Sequence, residues 1–322
     1  MGPAGPAGPA GTAGPTGASG NPATIPIVFV PASYSATALS SGNGTIVAVN
    51  SVIISEGTAG SIYTSADGKT WANPDAPSGT GGLHSVAYGG GLFVAVGDGG
   101  TIIHSTDSTA ASWIYAADTP LGSGDILSSV AYGGGAFVAV GSNGAGQSML
   151  VESSDGGDNW TDATPLSVLY PFQSVSFANG SFFAATSTSA PTEVFYKSGD
   201  GIHWSQTEAY PNTGRPSAVV GVSYGNGIYL AVDTNGFVFS SSTAATWTQV
   251  SDTGANFTSL CFGMNYFTLL SSWGVIYLTS DGVTYSFPSP GLAENASYNA
   301  IQWVPSLGTS GSFVVAGISG GS

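Results

Sequence analysis

The sequence predicts an all-β protein: a β-propeller of about seven four-stranded blades over residues 23–322, preceded by a separate N-terminal segment, residues 1–22. Three observations carry this. A block repeats almost unchanged, as Ser85-Val86-Ala87-Tyr88-Gly89-Gly90-Gly91-Leu92-Phe93-Val94-Ala95-Val96-Gly97 and as Ser129-Val130-Ala131-Tyr132-Gly133-Gly134-Gly135-Ala136-Phe137-Val138-Ala139-Val140-Gly141. Weaker copies begin at Ser174, Gly221 and Ser259, with Ala38 and Ala300 as outer members; the seven starts span 262 residues, about 44 per interval, which is the length of a four-stranded blade. Finally, short β runs are punctuated by Gly and Asn turns every 8–12 residues or so, with no helical periodicity.

Within one repeat the strands are expected at Ser85 to Tyr88, Leu92 to Val96, Thr101 to His104 and Trp113 to Ala116. The last copy supplies only two strands, Ala300 to Val304 and Phe313 to Ile318, while Ile25 to Val30 is a strand with no repeat of its own. Pairing that orphan with the last copy completes a mixed blade, covers an exposed edge and closes the ring. The degenerate outer copies leave six or eight blades open.

The N-terminal segment follows a different rule. Glycine occupies Gly2, Gly5, Gly8, Gly11, Gly14, Gly17 and Gly20, with Pro3, Pro6, Pro9 and Pro15 in the following position. A triple helix demands that period, because only Gly fits at the axis where three polyproline-II chains meet. The segment resembles collagen-like sequences, and the resemblance implies a homotrimer joined through it. A flexible Gly/Pro/Ala linker is the other reading.

Composition narrows the function. The 322 residues include 42% hydrophobic side chains and 49 glycines, yet only 7% are charged, and three cations (Lys69, Lys197, Arg215) face 18 acids for a net charge of −15. So few cations cannot displace counterions from phosphates, which argues against nucleic acid and anionic membrane surfaces as partners. No apolar run approaches the ~20 residues of a spanning helix. The single cysteine, Cys261, sits between Leu260 and Phe262 and reads as a small buried hydrophobe rather than a reactive thiol. If Met1 is the native start, no secretion signal precedes Gly2-Pro3-Ala4.

A turn recurs before the fourth strand: Ser65-Ala66-Asp67-Gly68-Lys69-Thr70-Trp71, Ser153 to Trp160 around Asp155, Ser198-Gly199-Asp200-Gly201-Ile202-His203-Trp204, and Ser280-Asp281-Gly282-Val283-Thr284-Tyr285. These turns resemble the Asp-box (BNR) repeats of sialidase-like propellers. The copy from Ser105 through Asp107 to Trp113 lacks the glycine, and the one from Ser241 to Trp247 lacks the aspartate as well. The resemblance implies structural roles: Asp67, Asp155, Asp200 and Asp281 accept backbone N–H groups of their own turn, and Trp71, Trp160 and Trp204 pack between blades. It does not extend to activity. Sialidases grip their substrate carboxylate with three arginines, and this chain has one, so sialidase activity is excluded.

No other catalytic set is legible, and no cofactor is implied. His84, His104 and His203 lie in different repeats without metal-ligand spacing. Glu152, Glu193, Glu208 and Glu294 fall outside the turn pattern, which leaves a paired-carboxylate glycosidase as an alternative. Candidate ligand contacts lie in two connections between repeats: Tyr170 and Phe172 in the first, Tyr210 and Arg215 in the second. Exposed tyrosine with arginine suits a glycan or a protein surface, and loops packed onto their own blade are the competing reading.

A collagen-like peg, a low-charge propeller and no catalytic set resemble bacteriophage or other viral surface appendages. The expectation is a non-catalytic fibre, spike or decoration protein on the virion surface. It would be held by other virion structural proteins and turned outward to a host-surface glycan or protein, or would simply coat the particle. A secreted extracellular filament or surface layer is the alternative.

Overall fold

A computed structural model describes residues 25–31, 34–54, 57–165, 168, 170–186, 195–207, 218–288, 296–308 and 310–319. The Gly-x-y segment, with its seven periodic glycines, lies outside them. The strands form seven separate sheets, four of them four-stranded and three of them three-stranded, with no helix among the described residues. The innermost strands are Ala38–Gly42, Leu83–Gly89, Ile126–Gly133, Phe172–Ala178, Val219–Gly225, Phe257–Gly263 and Ala296–Val304. Each touches the next around the ring, and the last touches the first. The protein is a seven-bladed β-propeller, numbered here blades 1 to 7 in that order.

Blade 2 follows the expected pattern, with strands Leu83–Gly89, Leu92–Gly97, Ile102–Ser105 and Trp113–Tyr115. Blades 1 and 6 depart from four strands. Their outer strand shrinks to a single bridge, Thr64 to Ala72 and Leu278 to Ser286. Pro74 and Pro288 follow within two residues of those bridges and have no N–H to extend the ladder. Blade 7 is closed by the N-terminal strand, Ile27–Phe29, which pairs in parallel with Ser312–Ser319 from Ile27 opposite Phe313 to Phe29 opposite Val315. A third strand parallel to the second cannot follow it through a tight hairpin, and here it comes from the other end of the chain.

The second strand of each blade is buried on both faces, which is why it reads as a continuous apolar run and not as an alternation. In blade 2, Phe93 and Ala95 face blade 1 while Val94 and Val96 face blade 3. The buried apolar side chains described fall into seven clusters, each shared by two neighbouring blades. The core is therefore seven seams and not one centre.

Two devices lock the seams near the axis. Serine hydroxyls on the inner strands take backbone N–H groups of the next blade: Ser85 accepts from Val130 at 3.1 Å, Ser129 from Val175 at 3.2 Å and Ser259 from Ile301 at 3.1 Å. Adjacent inner strands do not pair as one sheet, so the side chain spans the gap that a ladder would otherwise fill. The glycine ending an inner strand lies flat under an aromatic ring from the next blade, as Gly89 does under Tyr132 and Gly133 under Phe177. A Cβ would stand 1.9 Å from the Tyr132 ring and 2.1 Å from the Phe177 ring, so no side chain fits there.

Candidate functional site

Blades 1 to 6 run antiparallel through their strands, so in them the turn after the first strand and the turn after the third share one face of the ring. The aspartate turns sit on that face. In blade 1 the Asp67 carboxylate accepts the N–H groups of Thr70 at 2.7 Å and Lys69 at 2.8 Å, and the Ser65 hydroxyl accepts the Gly68 N–H at 2.8 Å. Trp71 closes the turn by donating its indole N–H to the Gly68 carbonyl at 3.1 Å. Asp155 and Asp200 repeat the arrangement with Trp160 and Trp204. In blade 6 Thr279 takes the place of the serine, and Tyr285 donates its hydroxyl to the Gly282 carbonyl at 2.6 Å.

The electrostatics follow the geometry. N–H groups aimed at a carboxylate stabilise its charged form. The N–H groups of Thr70 and Lys69 hold Asp67 down at about 2. The side-chain amide and then the N–H of Asn159 do the same for Asp155, also about 2. Asp200 lies lower still, held first by the His203 ring at 2.7 Å. Burial alone would raise Asp281, and the N–H groups of Thr284 and Val283 outweigh it.

Every turn needs a left-handed corner. Glycine supplies it at Gly68, Gly157, Gly201 and Gly282, with φ between +69° and +95°. In the two turns lacking that glycine, Ala110 and Ala244 adopt φ of +55° and +61° themselves. The corner packs on the preceding blade: a Cβ on Gly157 would lie 2.6 Å from Val94 Cγ2. Trp160 fills the same seam, Trp71 the seam between blades 7 and 1, and Trp204 that between blades 3 and 4.

Glu152 stands apart from this scheme. It is 5% exposed, on the third strand of blade 3, and its side chain faces the Gly201 corner of blade 4. Burial first, then the charges of Asp155 and Asp200, push its carboxyl above the usual glutamate range. His104 occupies the matching position in blade 2, with its Nε2 3.5 Å from Asp158. His84 pairs with Asp98 at 2.7 Å on the opposite face. Among the described residues no three His, Cys, Asp or Glu side chains group as a metal site. Glu193, Glu208 and Glu294 lie outside the described residues.

A cavity of about 460 Å³ follows the ring axis, lined by inner-strand residues including Ser41, Tyr88, Tyr132, Phe177, Asn299 and Gln302, none of them charged. Of the ligand contacts expected in the connections, Tyr170 is half-buried. Phe172 corrects its expectation. It is 1% exposed and packs edge-on against Tyr196 at 5.6 Å, in the seam between blades 3 and 4. It opens the inner strand of blade 4, so Pro171 marks the end of the loop and Phe172 belongs to the core. Tyr210 and Arg215 lie outside the described residues. Cys261 is free and half-buried, and burial pushes its thiol well above the ordinary range.

The residue that sequence reading passed over is Trp273, 74% exposed in the turn between the second and third strands of blade 6. Its one sequence signal is a tryptophan beside a turn glycine, outside the aspartate-turn pattern.

No family model matches the chain, and no curated protein does. Solved structures do resemble it. YCF48 bound to D1 peptide superposes with a TM-score of 0.64 at 15% identity, covering 94% of this chain and 95% of that one. YCF48 from Cyanidioschyzon merolae gives 0.52 at 17% identity, covering 74% and 80%. The computationally designed Ika8 protein gives 0.55 at 12% identity, covering 91% and 99%. At such identities the likeness is one of fold.

Proposed function

We propose that this chain is a non-catalytic display protein of a virion surface. The ring is carried on a collagen-like N-terminal segment that joins three copies, and its free face meets a host-surface glycan or protein or coats the particle. The observation that carries this reading is the docking of Ile27–Phe29 into blade 7. It makes the N-terminal segment continuous with the closure of the ring, so a pull on that segment loads a strand inside the fold and not a loose tail.

The acidic side chains support a non-catalytic role. Asp67, Asp155, Asp200 and Asp281 spend their oxygens on N–H groups of their own turns, which suits a structural brace better than proton transfer to a substrate. Light scattering on the full chain and on a version lacking residues 1–22 tests the reading. A trimer that becomes a monomer on truncation supports it; a full chain that is monomeric overturns the trimeric stalk.

A further inference from the structure

We propose that Trp273 is the stacking platform of a binding site for a neutral saccharide, on the face of the ring opposite the aspartate turns. This deepens the display reading and rests on it for the orientation of the ring.

Orientation comes from strand polarity. Ile27–Phe29 runs parallel to the second strand of blade 7, Ser312–Ser319, which starts on the aspartate-turn face. The described chain therefore enters the ring, at Ile25, on that face. The turns between second and third strands, and the connections between blades, lie on the other face. Trp273 is in one of these turns.

Its exposure is built and not incidental. The neighbouring backbone is held from both sides: Gly274 N–H bonds the Ser271 carbonyl at 2.9 Å and Ser271 N–H the Val275 carbonyl at 3.0 Å. Ser272 N–H reaches Asn256 in the connection from blade 5 at 2.8 Å, and the Ser272 carbonyl takes the Tyr298 N–H of blade 7 at 3.1 Å. With the backbone on either side of it held this way, the Trp273 ring stands in water at 74% exposure, the highest of the large apolar side chains described. The corresponding turns of other blades carry Asp98-Gly99-Gly100, Asn143-Gly144-Ala145-Gly146 and Thr234-Asn235-Gly236. Only polar or small residues are needed to make such a turn, so tryptophan there answers to something other than folding.

The surroundings select the ligand class. A pyranose offers one face of C–H groups to the electron-rich indole and a rim of hydroxyls to neighbouring donors and acceptors. Of the residues that hold the turn, Asn256 is exposed and Ser272 half-buried, offering an amide and a hydroxyl and no charge, while Ser271 and Tyr298 are buried beneath them. A cationic ligand has no carboxylate among them to pair with. An anionic one meets a chain of net charge −15 whose described lysines are elsewhere, Lys69 in an aspartate turn and Lys197 over the Phe183 ring at 5.7 Å.

Tryptophan fluorescence and glycan-array binding on the full-length protein test this. The probes are neutral oligosaccharides (mannan, galactan, glucan and chitin fragments), hyaluronan as the anionic counterpart, and polylysine and casein as polypeptides. The expected result is saturable, salt-insensitive binding of at least one neutral oligosaccharide, weakened about tenfold or more in Trp273→Ala and partly kept in Trp273→Phe. Both variants should melt like the parent, since the side chain lies outside the seams. The inference is overturned if no neutral oligosaccharide binds, if Trp273→Ala binds as the parent does, or if the Trp273-dependent ligand is polylysine or casein. A trimer without saccharide binding sinks this inference alone; saccharide binding by a monomer sinks the trimeric stalk and leaves Trp273 its role.

Discussion

Six seams of this ring and the seventh are closed by different means. Between blades 7 and 1, and onward to blades 5 and 6, a hairpin turn of the later blade carries an aromatic residue back onto the earlier one: Trp71, Trp113, Trp160, Trp204, Trp247 and Tyr285 in order. The seam between blades 6 and 7 has no such turn among the described residues. Ile25, Ile27 and Phe29 fill it instead, against Leu270, Ile276, Leu278, Phe313 and Val315. The first six are local products of one repeat, while the last depends on residues almost the whole chain apart. A ring gains from this asymmetry, because its ends are tied by the very contact that completes the core.

Removing residues 25–31 gives the sharpest test of that contrast. It uncovers the seventh seam and should cost roughly 5–10 kcal/mol at 1.5–3 kcal/mol per large apolar side chain, comparable with the stability of a whole domain. Circular dichroism should show loss of the cooperative melt, whereas removing residues 1–22 alone should leave the melting of the ring unchanged. Equal melts for the two truncations would mean the seventh seam holds without its strand.

Smaller effects probe the repeated seams. Gly133→Ala drives a methyl into the Phe177 ring and Gly157→Ala one into Val94, and each should cost about 2–3 kcal/mol in urea unfolding. Glu152→Gln keeps the shape at the blade 3/4 seam and removes a buried charge beside Asp155 and Asp200. It should stabilise by about 1 kcal/mol at neutral pH. Because the folded pKa of Glu152 is raised, the penalty belongs to its charged form. The gain should therefore vanish as pH falls below the ordinary glutamate value of 4.5.

The turn aspartates have the opposite sign. Their folded pKa is lowered, so they contribute stability above the unfolded value of 3.8 that is lost as pH falls toward about 2. Acid titration followed by circular dichroism should place the loss in that window, and Asp155→Asn should blunt it. The smallest effect is expected at Ala110→Gly. Relief of the left-handed backbone is offset by chain entropy and a lost buried methyl, leaving a net change within about 0.5 kcal/mol. The same exchange reversed at Gly157 is costly on both counts, because a φ of +95° strains a side chain there and Val94 occupies the space.

Much of the architecture was legible because the repeat writes it out locally. Leu92 to Val96 announces a strand buried on both faces, and the Gly-rich turns on either side set its length. The orphan strand at Ile25 to Val30 was expected to pair with the last copy, and it pairs with Phe313 to Val315. Its parallel sense was not legible, since direction follows from which side of the ring the chain enters. The full four-strand count failed in blades 1, 6 and 7, where prolines or a borrowed strand end the ladder. Phe172 was misread because an aromatic beside Pro171 looks like loop, and Trp273 was missed because one exposed side chain has no period.

Composition and spacing alone determined the all-β class, the 44-residue blade and the turn chemistry of Asp67, Asp155, Asp200 and Asp281, because each is set by residues close in the chain. They also determined the scarcity of cations, three against 18 acids. Only the tertiary structure decided that there are seven seams, that Glu152 is buried beside acids from two blades, and that Trp273 stands on the face opposite the N-terminal entry. Those facts depend on contacts between blades and on strand direction, which no single repeat contains.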